Sequence, residues 1–150
     1  MDVEIKVLGA GDEDVLMSVA AEVFDNPVDP VLTREFLGDP RHHIAVAIEA
    51  VVVVGFASGL HYVHPDKRPE LWINEVAVAP THHRRGLGKA VTQALLEVGG
   101  DLGCHEAWVL TDRANTAAKA LYISLGATEG VDEGGAEAEP MGYSFTLTKP

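Results

Sequence analysis

The spacing of apolar residues changes period along the chain, and the changes predict alternating strands and helices. Val3, Ile5 and Val7 alternate with Glu4 and Lys6 as in a half-buried strand. Gly9 and Gly11 interrupt that pattern, and Asp12 is placed to cap a helix running to about Phe24. Asn26-Pro27 and Asp29-Pro30 end it, and a short helix is expected over 33–37. Residues 44–48 and 51–59 read as two buried strands in a hairpin turning near Glu49 and Ala50. The stretch 61–70, with Pro65 and Pro69, reads as a loop. A third strand follows over 71–78, closed by Pro80.

After Gly86 the period shifts from two to 3.6. Leu87, Ala90, Val91, Ala94, Leu95, Val98 and Leu102 fall on one face of a helix, which Gly99, Gly100 and Gly103 are expected to stop. Residues 107–110 form another apolar strand, and 115–125 a second amphipathic helix, with Gly126 where a left-handed cap belongs. Residues 143–148 read as a final strand. This alternation predicts one α/β domain over residues 1–150, with crossover connections onto a shared sheet.

Composition narrows the function. The 150 residues are 47% apolar, which excludes a disordered chain, and carry 11 Lys and Arg against 23 Asp and Glu, a formal charge of -12. Such a surface repels phosphate backbones and anionic lipid, so neither nucleic acid nor membrane is expected as a partner. It attracts cations. The single Cys104 cannot form an internal disulfide or a thiolate zinc cluster. The start lacks the basic region and apolar stretch of a secretion signal, so a cytoplasmic location is expected. The segment 129–140 holds five acids and three glycines. It is either a solvated loop or a negative wall beside a site for a polycation.

One stretch reverses the overall charge. Between the strand over 71–78 and the helix that follows stand His83, Arg84, Arg85, Gly86, Leu87, Gly88 and Lys89. Free N–H groups at a helix start form an anion site, and glycines there let a phosphate approach the backbone. The three cations add to it. Neither the P-loop pattern nor the dinucleotide fingerprint is present, so the reading is a diphosphate-bearing cofactor of another kind.

This segment resembles the GNAT superfamily of N-acetyltransferases, whose acetyl-CoA signature is Arg/Gln-x-x-Gly-x-Gly/Ala after a strand. Here it reads His83-Arg84-Arg85-Gly86-Leu87-Gly88, with His83 where Arg or Gln is usual. Asn115-Thr116-Ala117-Ala118, continuing through Leu121-Tyr122 to Gly126-Ala127, is similar to the superfamily's Asn-x-x-Ala-x-x-x-Tyr-x-x-x-Gly-Phe helix. The resemblance implies a GNAT fold, a mixed and mostly antiparallel sheet with helices on both faces, splayed to make a slot for acetyl-CoA. It implies that the backbone of Val76, Ala77 and Val78 pairs with the pantetheine arm, and that residues from Arg84 to Lys89 hold the diphosphate. Asn115 would contact the pantetheine or fix its strand end. Tyr122 would protonate the departing CoA thiolate, a task that suits a neutral phenol; without the motif it would read as a core-edge residue.

An amine attacks a thioester only when neutral, so the site must take a proton. On strict alternation Trp72, Asn74, Val76 and Val78 share one strand face, with Ile73, Glu75 and Ala77 opposite. A carboxylate in so apolar a strand is costly without a partner. Glu75 is therefore the expected ammonium ligand and base, the alternative being an exposed carboxylate where the sheet splays. Asp112 is either a second ammonium ligand or a cap for the next helix. A longer similarity, from about Phe36 to the C-terminus, is to the small GNAT-type aminoglycoside 3-N-acetyltransferases. It implies a homodimer and an aminoglycoside 3-amino acceptor. A polyamine, another small amine or a peptide amine suits the charge equally well, and an acyl-CoA sensor without catalysis is a further alternative. No metal is expected, since His42-His43 and His82-His83 are adjacent pairs that point apart on a strand.

Overall fold

The computed structural model describes residues 2–111, 114–128 and 146. Asp112, the acidic segment 129–140 and the strand expected over 143–148 lie wholly or almost wholly outside them.

Among the described residues five strands form one sheet in chain order: β1 (Glu4–Leu8), β2 (His42–Glu49), β3 (Val52–Tyr62), β4 (Glu70–Val78) and β5 (Ala107–Val109). The first four run antiparallel, and β5 lies parallel to β4. That parallel pair requires a crossover, supplied by helix α2 (Leu87–Asp101). Helix α1 (Pro30–Gly38) precedes β2, and α3 (Thr116–Ser124) follows β5.

Small residues set the face that α2 covers. The register pairs Ala45 with Ala57 and Ala57 with Val76, and all three alanines of this layer, Ala45, Ala47 and Ala57, are fully buried. Leu87, Val91 and Leu95 fill the space above them, each such buried side chain stabilising by roughly 1.5–3 kcal/mol. Gly99 lies inside α2, not beyond it. A Cβ there would stand 2.9 Å from Leu71 Cδ2, so glycine is kept for close approach to β4. The helix ends at Asp101, and Gly103, just beyond its cap Leu102, takes φ +84°.

Two expectations fail. No α-helix spans 12–24; a short 3-10 turn (Glu13–Met17) gives way to a single bridge at Val19 and then to turns and bends. Val53 at the start of β3 has backbone groups beyond the end of β4, and they bond the Ser18 carbonyl and the Ala20 N–H at 2.9 Å each. Those bonds, with β-branched Val15 and Val19, outweigh the helical pattern. In β1 the alternation is present, yet Ile5 and Val7 remain 36% and 44% exposed. β1 is an edge strand, and α2 covers the sheet centre more fully than its margin. The short helix expected over 33–37 extends over Pro30–Gly38, because the Asp29 carboxylate caps it, accepting from Val31 N and Leu32 N at 2.8 and 2.9 Å.

Candidate active site

The slot begins at a bulge. Ser58 pairs with Glu75, but the next residue, Gly59, pairs with Ile73, so Asn74 is an extra residue in β4. A Cβ on Gly59 would run into the Trp72 carbonyl, which explains the glycine. The bulge overturns the alternation expected from sequence. Ile73 shares a face with Val76 and Val78, toward α2, while Glu75 and Ala77 share the opposite face with Trp72. β5 pairs with β4 only through Leu71, Trp72 and Ile73, and Trp72 stacks on Trp108 with centroids 6.3 Å apart. Beyond Ile73 that edge of β4 has no strand partner among the described residues. The Ala79 N–H bonds the Val54 carbonyl at 2.8 Å. Alternation from there turns the backbone of Ala77 to β3, and that of Val76 and Val78 to the open edge.

The loop from β4 to α2 meets this edge. A 3-10 turn (Pro80–His82) leads to His83, whose Nε2 lies 2.9 Å from the Val78 carbonyl oxygen. His83 thus ties the loop to the strand. Arg84 has φ +63° and Gly86, the cap of α2, φ +76°. The first bond of the helix runs from Ala90 N to the Gly86 carbonyl at 3.1 Å, which leaves the N–H groups of Gly86, Leu87, Gly88 and Lys89 ahead of it. Arg84 and Lys89 are exposed. Arg85 is engaged elsewhere, its Nη1 3.2 Å from Glu49 Oε2. Burial would push the Glu49 carboxyl up, but His82 and Arg85 outweigh it and hold it below its ordinary value.

Helix α3 closes the other side. An added Cβ on Gly88 would lie 3.7 Å from both Leu121 Cδ2 and Val78 Cγ2, so this glycine sits between α3 and β4. The carboxamide oxygen of Asn115 caps α3, accepting from Ala118 N at 3.0 Å. Gly126 takes φ +91° as its left-handed terminator, as expected. Tyr122 is half-buried one residue from Leu121, and that burial pushes its phenol above the ordinary value, so it stays protonated at neutral pH.

On the face opposite α2, Glu75 lines a cavity of about 300 Å³ with Phe24, Asp25, Phe36, Phe56 and Ser58. Burial raises the Glu75 carboxyl, and the Asp25 charge raises it further. Asp25 was missed from sequence. It sits in the Asp-Asn-Pro turn that ends the first segment, where a loop acid carries no signal until the fold brings it over β4. Phe24 stacks on Phe56 with centroids 4.3 Å apart and fixes that turn. Cys104 is half-buried, its thiol pushed up by burial and by Glu70, the opposite of a nucleophile's setting. Glu70, His105 and Glu106 bring ligand atoms within 4.8 Å of one another at the far end of β4 from the slot.

A parallel pair that ends at Ile73, an open strand edge and a glycine-led helix start make a slot with an anion-favouring end. The model of the acetyltransferase (GNAT) family matches residues 14–127. The chain belongs to that family. Acetyl-CoA is its cofactor, and the open edge of β4 and the N–H groups heading α2 fit the pantetheine and diphosphate of such a ligand. The fold expected from the motifs, a mixed and mostly antiparallel sheet with helices on both faces, is the fold of this GNAT domain. Among curated relatives, a mycothiol acetyltransferase of Pseudarthrobacter chlorophenolicus is 37% identical over 131 residues, 78% of this chain and 39% of that protein. One from Salinispora tropica is 34% identical over 125 residues, 77% and 41%. The chain therefore spans about two fifths of the length of these relatives. An aminoglycoside acetyltransferase from an uncultured soil metagenomic sample superposes with a TM-score of 0.76 at 25% identity, covering 99% of this chain and all of that one. The aminoglycoside N-acetyltransferase AAC(6')-Iy in complex with CoA shares the fold, with a TM-score of 0.74 at 20% identity over 96% and 95%. No described helix is long and apolar enough to cross a membrane.

Proposed function

We propose that this GNAT domain transfers the acetyl group of acetyl-CoA to a primary amine of a cationic small molecule, with an aminoglycoside as the first acceptor class. The observation that carries this reading is the placement of Glu75, a carboxylate with a raised pKa, on the wall of a cavity it shares with Asp25. Two acids against Phe24 and Phe36 bind an ammonium group and the apolar face beside it.

Acetyl-CoA supplies the activated acyl carbon. The N–H groups on the open side of β4, at Val76 and Val78, orient the thioester and stabilise charge on its oxygen. Glu75 takes a proton from the incoming ammonium, directly or through water, and its raised pKa makes it a stronger base than an exposed glutamate. Tyr122 gives a proton to the departing sulfur. Arg84, Lys89 and the head of α2 hold the diphosphate, and Asn115 keeps α3 at the slot. Ala77 contributes its place in the strand, with its backbone committed to β3. Asp112 stands as a second ammonium ligand in this reading.

A second reading, transfer to a mycothiol-type acceptor, is favoured by the 37% identity to a mycothiol acetyltransferase. The experiment that separates them is thiol release from acetyl-CoA with kanamycin, gentamicin, spermidine, a basic peptide and the amine precursor of mycothiol, each against no acceptor. Selective turnover of the aminoglycosides supports the first reading, and the 3-amino group is the expected position, to be assigned by product NMR. Turnover confined to the mycothiol precursor replaces it with the second. Tight acetyl-CoA binding without turnover of any amine would instead identify an acyl-CoA sensor.

A further inference from the structure

Glu49 is the last residue of β2, and the turn after it is unusual. Ala50 and Val51 both take positive φ, 49° and 64°, without a glycine between them. A β-branched residue in that region is strained. The turn sets the Glu49 carboxylate against the loop ahead of α2, with Oε2 3.2 Å from Arg85 Nη1 and 3.4 Å from His82 Nε2. Oε2 and Nε2 are both closed off from solvent. The 3.4 Å contact between them is not a well-aligned hydrogen bond. A carboxylate beside a site for a diphosphate has the wrong sign to bind it, so its presence needs another explanation.

The explanation lies in Arg84. Its φ of +63° is a left-handed conformation that side-chain-bearing residues hold only under strain. Anchors flank it on both sides: His83 on the Val78 carbonyl, and His82 and Arg85 on Glu49. We propose that Glu49 is a positioning residue for acetyl-CoA, pinning His82 and Arg85 so that Arg84 and the N–H groups heading α2 hold their diphosphate-binding shape. Arg85 then belongs to the frame of the loop, and Arg84 and Lys89 are the cations that face the ligand. The inference rests on assigning the diphosphate to this loop.

The test compares acetyl-CoA with S-acetylpantetheine, which keeps the thioester and the pantetheine arm and lacks the diphosphate. Calorimetric titration of the Glu49→Gln protein is expected to show acetyl-CoA binding weakened about tenfold and S-acetylpantetheine binding unchanged. Simple electrostatics gives the opposite sign, because removing a negative charge near an anion site tightens binding. Unchanged or tighter acetyl-CoA binding would therefore overturn the proposal, and so would equal weakening of both donors, which marks general damage. Arg85→Gln breaks the same contact from the other side. It is expected to reproduce the split, and unchanged acetyl-CoA binding there overturns the proposal even if Glu49→Gln does not fold. Arg84→Ala tests the underlying assignment separately: loss of acetyl-CoA affinity alone supports it, and no change with either donor removes the loop as the diphosphate site and the role of Glu49 with it.

Discussion

Tyr122 and Glu75 are both titratable groups shifted upward by burial, and the same direction gives them opposite uses. A phenol pushed up stays protonated and can donate; a carboxyl pushed up binds protons more readily and can accept. Replacing Tyr122→Phe removes only the donor. The expected result is a fall in kcat of about 100-fold, at the low end for a general acid, with the acetyl-CoA dissociation constant within twofold of the parent. Unchanged kcat would assign Tyr122 to packing. Glu75→Gln is expected to raise KM for a cationic acceptor about tenfold, the loss of one charge-assisted contact worth roughly 1.5 kcal/mol. It also has a stability consequence. Glu75 holds its proton more tightly when folded than when unfolded, so its contribution to stability falls as pH rises from the ordinary glutamate value through the raised one. The Gln variant lacks that decline. Its Tm relative to the parent is expected to improve between pH 4 and pH 7, and a constant difference across that range would show that Glu75 is not shifted.

At the scale of elements, β4 does most to build the site, and its bulge is the decisive detail. If Asn74 paired regularly instead of bulging, strict alternation would place Ile73 on the Glu75 face and disturb the layer under α2. Gly59 permits the bulge because the Trp72 carbonyl occupies the space of its Cβ. Gly59→Ala must move backbone, and is expected to cost about 1–3 kcal/mol in urea unfolding, with a loss of acceptor affinity that tracks the displaced Glu75. A stability change below 0.5 kcal/mol would mean the bulge accommodates a methyl group. The helices that flank the slot were legible for local reasons. Gly86 and the apolar stripe from Leu87 define the start of α2, and Asn115 and Gly126 bracket α3 with a side-chain cap and a left-handed terminator. The bulge was not legible, because an inserted residue carries no local signature: Asn74, between Ile73 and Glu75, reads like any other strand position. The segment 12–24 failed for a related reason. Its helical spacing is real, but the backbone groups of Val53 offered Ser18 and Ala20 a better partner from far along the chain.

At the scale of the molecule, the formal charge of -12 surrounds a small cluster of cations at the head of α2. Attraction for a cationic acceptor and repulsion of an anionic donor therefore compete, and the donor site needs its own local field. This division predicts opposite responses to salt. Raising ionic strength from 0.02 to 0.5 M, which shortens the screening length from roughly 20 Å to about 4 Å, is expected to lower kcat/KM for a multiply charged amine several-fold. A singly charged amine should be nearly unaffected. Equal responses would show that the net charge plays no part in acceptor capture.

What could be read along the chain alone was the proposed donor half. Its motifs are contiguous, and a helix start with glycine, arginine and free N–H groups has much the same chemistry wherever the fold places it. Tertiary structure decided the acceptor half and the frame of the loop. Asp25, Ser58 and Glu75 come from three separate segments, and Glu49 meets Arg85 across a turn 36 residues upstream. Their chemistry depends on distance, burial and sheet register, quantities that arise only when strands distant in sequence lie side by side.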